Sequence, residues 1–177
     1  MDNSTYKFEN IQQKPQLGTE AWAMMLRFDD QASNPQELVL SMAYPVAAIR
    51  VFINSQTSSK RTLELYPNYT TDDKGNAFKH SFWAALNTVD PLVQKNLAKA
   101  FTDAHEEEPS QPPIEKTMDL FNNAVGIEIG DRFPITSLTQ SPVIITEIEN
   151  NIQAASAIGR MRFVCRGMLI STNLICQ

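Results

Sequence analysis

Apolar residues recur along most of the chain about every three to four positions, which is the period of an α-helix. The pattern predicts a helix from about Thr19, and others over residues 36–56, 77–86, 91–106, 114–130 and 141–156. Only residues 160–175 alternate with the period of a strand, and Arg166-Gly167 in their middle favours a turn. We therefore predict a mainly α, compact helical domain with a small C-terminal β-hairpin.

Capping residues mark where several of these helices begin. Asn34 precedes Pro35, Asn76 opens the helix over 77–86, and Ser141 precedes Pro142. Residues 1–18 are predicted to form an irregular arm and residues 66–76 a loop. Residues 36–56 are apolar on nearly every side, so we expect them to form a buried central helix pair that is divided at Pro45.

Length and composition are those of one globular domain over residues 1–177. The chain is 42% hydrophobic and 20% charged, and its net charge is -5. An acidic surface repels phosphate backbones, which makes nucleic acid an improbable partner, and the basic groups at Lys60-Arg61 and residues 160–166 are thin. No apolar run is long enough for a membrane span.

The N-terminal sequence lacks the basic start and apolar stretch of a signal peptide. The chain as given is therefore expected to be soluble and cytoplasmic, with export by a system that reads no such signal as the alternative. Its two cysteines, Cys165 and Cys176, are interpreted as free thiols in a reducing compartment. A disulfide that closes the C-terminal hairpin is the alternative interpretation.

The segment 91–106 carries polar residues at the edges of its apolar face. Asp103 and His105 fall on opposite edges of that face, whereas Glu106 falls nearly opposite to it. Asp103 and His105 are therefore expected to reach a space between helices. Glu106 would need a second helix to cover it.

The segment 114–130 carries a polar stripe beside its core face. Asp119, Asn122, Asn123 and Gly126 follow at i, i+3, i+4 and i+7. Asparagine is a poor choice for an exposed helix interior, so the two amides are expected to make specific hydrogen bonds. The glycine is expected to let another backbone come close.

His80 lies in a helix with apolar or small residues on nearly every face, and it shares a side with Trp83. A buried imidazole needs a partner for each nitrogen, which Asp103 or Asp119 can supply. The chain contains neither C-x-x-C nor H-E-x-x-H, so no zinc motif is present and the cofactor is unknown. An oxygen-rich site of Asp103, Asp119 and Asn123 is suited to a divalent cation.

Three motifs together resemble an uncharacterised bacterial domain family. They are GNAFKHSFWAAL, then TDAHE, then MDLFNNAVGIEIG, and the tail GRMRFVCRGMLISTNLI is similar as well. The likeness covers residues 75–175, with Asn76 where the family more often has Asp and Ala84 where it more often has Asn. Such domains often lie at the C-termini of secreted or toxin-like proteins, which implies an exported activity and a partner or immunity protein.

Two functions follow from these residues. In the first, the chain is a toxin-like hydrolase in which His80 or His105 is a general base oriented by Asp103 or Asp119. By the resemblance, the substrate-binding residues of this hydrolase are Trp83, Glu106, Asn122 and Asn123. In the second, the chain is a non-catalytic helical module that binds a partner protein. The polar cluster that His80, His105 and Asp119 are expected to form between three helices then only fixes its packing.

Overall fold

A computed structural model of the chain describes residues 34–135 and 141–176. Within these residues six helices precede a two-stranded hairpin, so the predicted mainly α fold is confirmed. The elements are α1 (Pro35–Ala43), α2 (Pro45–Leu65), α3 (Lys74–Val89), α4 (Gln94–His105), α5 (Pro113–Gly130), α6 (Pro142–Ala157), β1 (Arg162–Cys165) and β2 (Met168–Ser171). The helix predicted from about Thr19 and the arm over residues 1–18 lie outside the described residues.

The central element of the fold is α3. Every residue from 75 to 90 except Lys79 is buried, and α3 contacts α2, α4, α5 and α6. The prediction that residues 36–56 form the central pair is wrong. They form α1 and the first half of α2, which cover α3 and α4 from one side, and Val39 and Met42 of α1 are 57% and 69% exposed.

The start of α3 differs from its prediction in a way that matters for the site. Asp73 is the N-cap, and its Oδ1 accepts hydrogen bonds from the backbone N–H groups of Gly75 (2.7 Å) and Asn76 (3.1 Å). The expected cap Asn76 is therefore wrong, because it lies inside the first turn. Its side chain is free to point toward α5.

A glycine sets the distance between α3 and α5. A Cβ atom at Gly126 would lie 2.1 Å from the carbonyl oxygen of Ser81, so only glycine fits at this crossing. The Ser81 hydroxyl adds a hydrogen bond to the carbonyl of Asn122 at 2.9 Å. The predicted close approach at Gly126 is confirmed, and it brings the polar stripe of α5 against α3.

The N-caps expected from the Asn-Pro and Ser-Pro pairs are both present. The Asn34 side chain accepts from the N–H of Glu37 at 2.9 Å, and the Ser141 hydroxyl accepts from the N–H of Ile144 at 3.3 Å. Pro45 begins α2, as its ring fits the first turn of a helix.

The C-terminal hairpin turns at Arg166-Gly167, as predicted. Both residues have positive φ, 51° and 75°, which suits a two-residue hairpin turn. A disulfide joins Cys165 to Cys176. The interpretation of two free thiols is therefore wrong, and the alternative pairing holds.

Candidate functional site

His80 of α3 lies between two carboxyl groups. Its Nδ1 is 3.2 Å from Oε1 of Glu106, the residue after α4, and its Nε2 is 3.5 Å from Oδ1 of Asp119 on α5. The predicted approach of His80 to Asp119 is thus confirmed, and Glu106 takes the place at which Asp103 was an alternative. Three separate segments meet at one imidazole.

Side-chain amides hold both carboxyl groups in place. Gln111 Nε2 donates to Glu106 Oε2 (3.1 Å) and to Asp119 Oδ2 (2.8 Å), and so bridges the two acids. Asn123 donates to Glu106 Oε1 at 2.9 Å, and Asn76 donates to Asp119 Oδ1 at 3.0 Å. Every carboxyl oxygen of the pair therefore accepts at least one amide hydrogen bond, and neither side chain is free to rotate.

The pKa values of the two carboxyl groups shift in opposite directions. Both residues are almost fully buried, Glu106 at 1% and Asp119 at 3% exposure. Burial alone raises the pKa of Glu106, but contact with His80 and Gln111 outweighs it and holds that pKa at about 2. Burial and the charge of Glu106 together raise the pKa of Asp119 to about 8. Near neutral pH the proton therefore belongs on Asp119.

The same burial acts on His80. It lowers the pKa of the imidazole, and the neighbouring Glu106 only partly opposes this effect. The Nδ1 atom has no hydrogen bond of good geometry within the described part of the chain, despite its 3.2 Å contact with Glu106. His80 is thus a buried ring between acids that are themselves fully oriented.

The second histidine, His105, ends α4 and lies beside Glu37 of α1. Its Nδ1 is 3.4 Å from Glu37 Oε1, and its side chain is 39% exposed. Asn34 fixes this junction, since its amide nitrogen donates to the carbonyl of Ala104 at 2.6 Å while its oxygen caps α1. Burial lowers the pKa of His105, but the Glu37 carboxylate outweighs burial and the pKa is raised.

A cleft of about 160 Å³ lies between α2 and α3, and both histidines line it. Trp83 forms one wall and is held there by a 3.0 Å hydrogen bond from its indole N–H to the carbonyl of Val51. The ring of His105 meets the Trp83 ring edge-on at a centroid distance of 5.2 Å. Lys79 and Glu37 supply opposite charges to the same space.

Two of the predicted site residues lie elsewhere. Asp103, expected to orient a histidine, forms an ion pair with Lys99 on the surface of α4, with 42% of its side chain exposed. Asn122, expected to bind substrate, uses its amide on the backbone of Arg162, with both contacts at 2.9 Å. It therefore anchors β1 to α5 and contacts neither histidine.

The sequence patterns missed three residues of the site. Glu37 is an isolated acid in an otherwise apolar run, and this isolation was the one feature of the sequence that could have identified it as a site residue. Gln111 lies in the proline-rich loop, where no periodicity applies. Asn76 was assigned a capping role that Asp73 fills.

Comparison with protein-family models identifies a family for the chain. The family model described as a domain of unknown function, DUF6973, matches residues 38–156. This range contains the cluster around His80 and all of α4, and it begins one residue after Glu37. No curated protein and no solved structure matches the chain. In the described ranges, no helix combines the length and the apolar character that crossing a membrane requires.

Proposed function

The chain belongs to the DUF6973 family, and we propose that it is a hydrolase whose general base is His105. The observation that carries this proposal is the pair of His105 and Glu37 at a cleft that solvent can enter. A carboxylate beside Nδ1 favours the tautomer with its proton on Nδ1, which leaves Nε2 to accept a proton. Nε2 has no hydrogen-bond partner among the described residues, so it is available to a water or a substrate.

The distance between the two side chains fits a site without its substrate. At 3.4 Å the Glu37 contact is longer than a good hydrogen bond, and catalytic contacts often tighten only when substrate is bound. Glu37 also stabilises the imidazolium that forms once His105 has taken a proton. In this proposal His105 is the general base. Glu37 is the acid that orients it, a role that the sequence motifs assigned to Asp103 or Asp119.

The rest of the cleft suits a small substrate group whose oxygen becomes negative during the reaction. Trp83, Val51 and Phe52 supply apolar surface, and Lys79 supplies positive charge for an oxygen that becomes negative during hydrolysis. About 160 Å³ is small for a binding pocket, so the cleft takes one side chain or acyl group of a larger substrate.

Export and toxicity form part of this proposal. The disulfide between Cys165 and Cys176 supports an oxidising destination, because disulfides rarely persist in the cytosol. The likeness of the motifs around His80, Asp103 and Asp119 to toxin-like bacterial domains supports an activity directed at other cells. An immunity protein that covers the cleft is the partner this activity requires.

The test compares His105→Ala with a neighbour on the same helix. Wild type, His105→Ala and Asp103→Asn are expressed in the cytoplasm and in the periplasm of a bacterial host, and growth is measured. The purified proteins are assayed on p-nitrophenyl acetate, p-nitrophenyl phosphate and a p-nitroanilide. We expect His105→Ala to lose toxicity and at least about 100-fold in rate while its melting temperature holds, and Asp103→Asn to keep both.

Two results would contradict the proposal. Toxicity that survives His105→Ala would remove His105 from the site. A wild-type protein that is harmless in both compartments and inactive on all three substrates would rule out the proposed hydrolase activity.

A different observation favours the partner-binding module. The side chains of Val39, Met42, Tyr44 and Val46 are all more than 40% exposed along α1 and the start of α2. If toxicity survives His105→Ala but is lost in Met42→Glu, this surface rather than the cleft carries the function.

A further inference from the structure

The three side chains around His80 have the composition of a metal centre. One ligand atom each from His80, Glu106 and Asp119 lies within 4.8 Å of the other two, and all three residues are buried. Ligand atoms around a first-row divalent cation lie roughly 3–4 Å apart, given metal–ligand bonds of about 2.0–2.2 Å. The 3.2 Å between Nδ1 of His80 and Oε1 of Glu106 falls in this range, whereas Asp119 makes its 3.5 Å contact with the other ring nitrogen, Nε2.

The charge of the cluster is not balanced by the rest of the described chain. Neither Glu106 nor Asp119 forms an ion pair with Lys or Arg among the residues that the structure describes. Buried carboxylates are costly unless they are paired or coordinate a metal. A divalent cation that replaces the proton on Asp119 would balance both of these carboxylates at once.

The surroundings of the acids are those that metal centres use to orient their ligands. Amide groups of Gln111, Asn76 and Asn123 hold the two carboxyl groups, as described above. Hydrogen bonds of this kind to ligating carboxylates fix their direction and raise metal affinity. Here they hold Glu106 Oε1 and Asp119 Oδ1 toward the same imidazole.

Two buried atoms in the cluster provide an independent observation. Nδ1 of His80 and Oδ1 of Asn123 have no hydrogen-bond partner within the described ranges, although both residues are at least nine-tenths buried. Unsatisfied buried polar atoms are rare and call for a specific cause such as a bound ion. An imidazole nitrogen and an amide oxygen are both metal ligands.

We propose that His80, Glu106 and Asp119 bind one first-row divalent cation, with the amide oxygen of Asn123 as a further ligand. The mixture of one imidazole with carboxylate and amide oxygens suits Mn²⁺ or Zn²⁺ better than Ca²⁺, which prefers oxygen alone. His80 lines the cleft and gives the ion a route in. The inference does not rest on the proposed hydrolase, because binding is measured without any activity.

The experiment uses the full chain after treatment with EDTA and dialysis. MnCl₂ and ZnCl₂ are titrated separately by calorimetry into wild type, Glu106→Gln, Asp119→Asn and the control Glu108→Gln, whose side chain lies outside the cluster. We expect one ion per chain in wild type and in Glu108→Gln. The two cluster variants should lose at least about 10-fold in affinity. Melting curves without metal identify any variant that does not fold.

A second measurement keeps the proposal testable if both variants unfold. Wild type is loaded with Co²⁺, whose visible spectrum reports a nitrogen and oxygen ligand set of low coordination number, and is then compared with His80→Gln. Absence of binding to wild type would overturn the inference. Affinity or spectra that the cluster variants leave unchanged would do so too, because they would place the ion on the surface.

Discussion

The two histidines of the chain lie 6.5 Å apart, centre to centre, and yet occupy opposite environments. His80 is buried between Glu106 and Asp119, and amides fix both acids. His105 is more than one-third exposed, faces the single carboxylate of Glu37, and packs against the edge of Trp83.

The difference shows that residue type alone does not assign a role. A buried ring between oriented acids, such as that of His80, suits a structural role. It can fix the packing of three segments or, by our inference, bind a cation. A half-exposed ring with one carboxylate and one open nitrogen, such as that of His105, has the surroundings that our proposal requires of a general base. The pKa values follow the same division, since burial lowers that of His80 whereas Glu37 raises that of His105.

The largest expected loss of stability comes from Gly126, which lies away from His80 but sets the distance between the helices around it. Gly126→Ala would place a Cβ atom 2.1 Å from the carbonyl oxygen of Ser81 and push α5 from α3. We expect a loss of about 3 kcal/mol or more in unfolding free energy, because backbone and not a flexible side chain must move. Urea denaturation measures it, with Ala124→Ser on the exposed side of α5 as the control. Equal stability of the two variants would contradict the close crossing.

Removal of each ring compares the two environments directly. His80→Ala leaves two buried acids without their shared partner, so it should cost about 2–3 kcal/mol. His105→Ala removes a partly exposed ring and should cost less than about 1 kcal/mol. Thermal melts of both variants in EDTA decide the order, and a larger loss for His105→Ala would reverse the assignment.

A smaller effect is expected from the amides that orient the acids. Asn123→Leu removes the hydrogen bond to Glu106 and should cost about 1–3 kcal/mol. Its control is Glu107→Leu, which removes only a surface ion pair with Lys116 and should be nearly neutral. If the two melting temperatures shift by the same amount, Asn123 does not hold a buried partner.

The smallest effect concerns protonation at the cleft. Since Glu37 raises the pKa of His105, Glu37→Gln should lower that pKa. In wild type the raised pKa stabilises the fold below about pH 6.5, and this contribution is lost as the pH rises through the folded value. NMR titration of the His105 ring measures this shift. A pKa of His105 that does not move would separate it from Glu37.

Much of the fold follows from periodicity and from local signals. Ser141 before Pro142, the turn at Arg166-Gly167 and the glycine of α5 each act within a few residues, so their consequences can be read from the sequence. The central position of α3 could not be read from the sequence. Residues 36–56 are equally apolar, and only tertiary contacts decide which helix is covered on all sides.

The site divides in the same way. The inward stripe of α5 predicted Asp119 and Asn123, because both lie on a regular helix. Glu106 lies just past the end of α4, where the chain leaves helical geometry and a helical projection no longer gives its direction. Gln111 reaches the cluster from a loop, and Glu37 reaches His105 from a different helix. Contacts of this kind depend on how the elements meet.

The separate roles of the two histidines are tested most directly by following both rings while Zn²⁺ is added. The metal-free chain, labelled with ¹⁵N in its histidines, is titrated with ZnCl₂ and the ring nitrogen signals are recorded at each step. We expect the signal of one nitrogen of His80 to shift and to saturate at one equivalent, while the signals of His105 remain in place. Saturating shifts at His105, or none at His80, would contradict it.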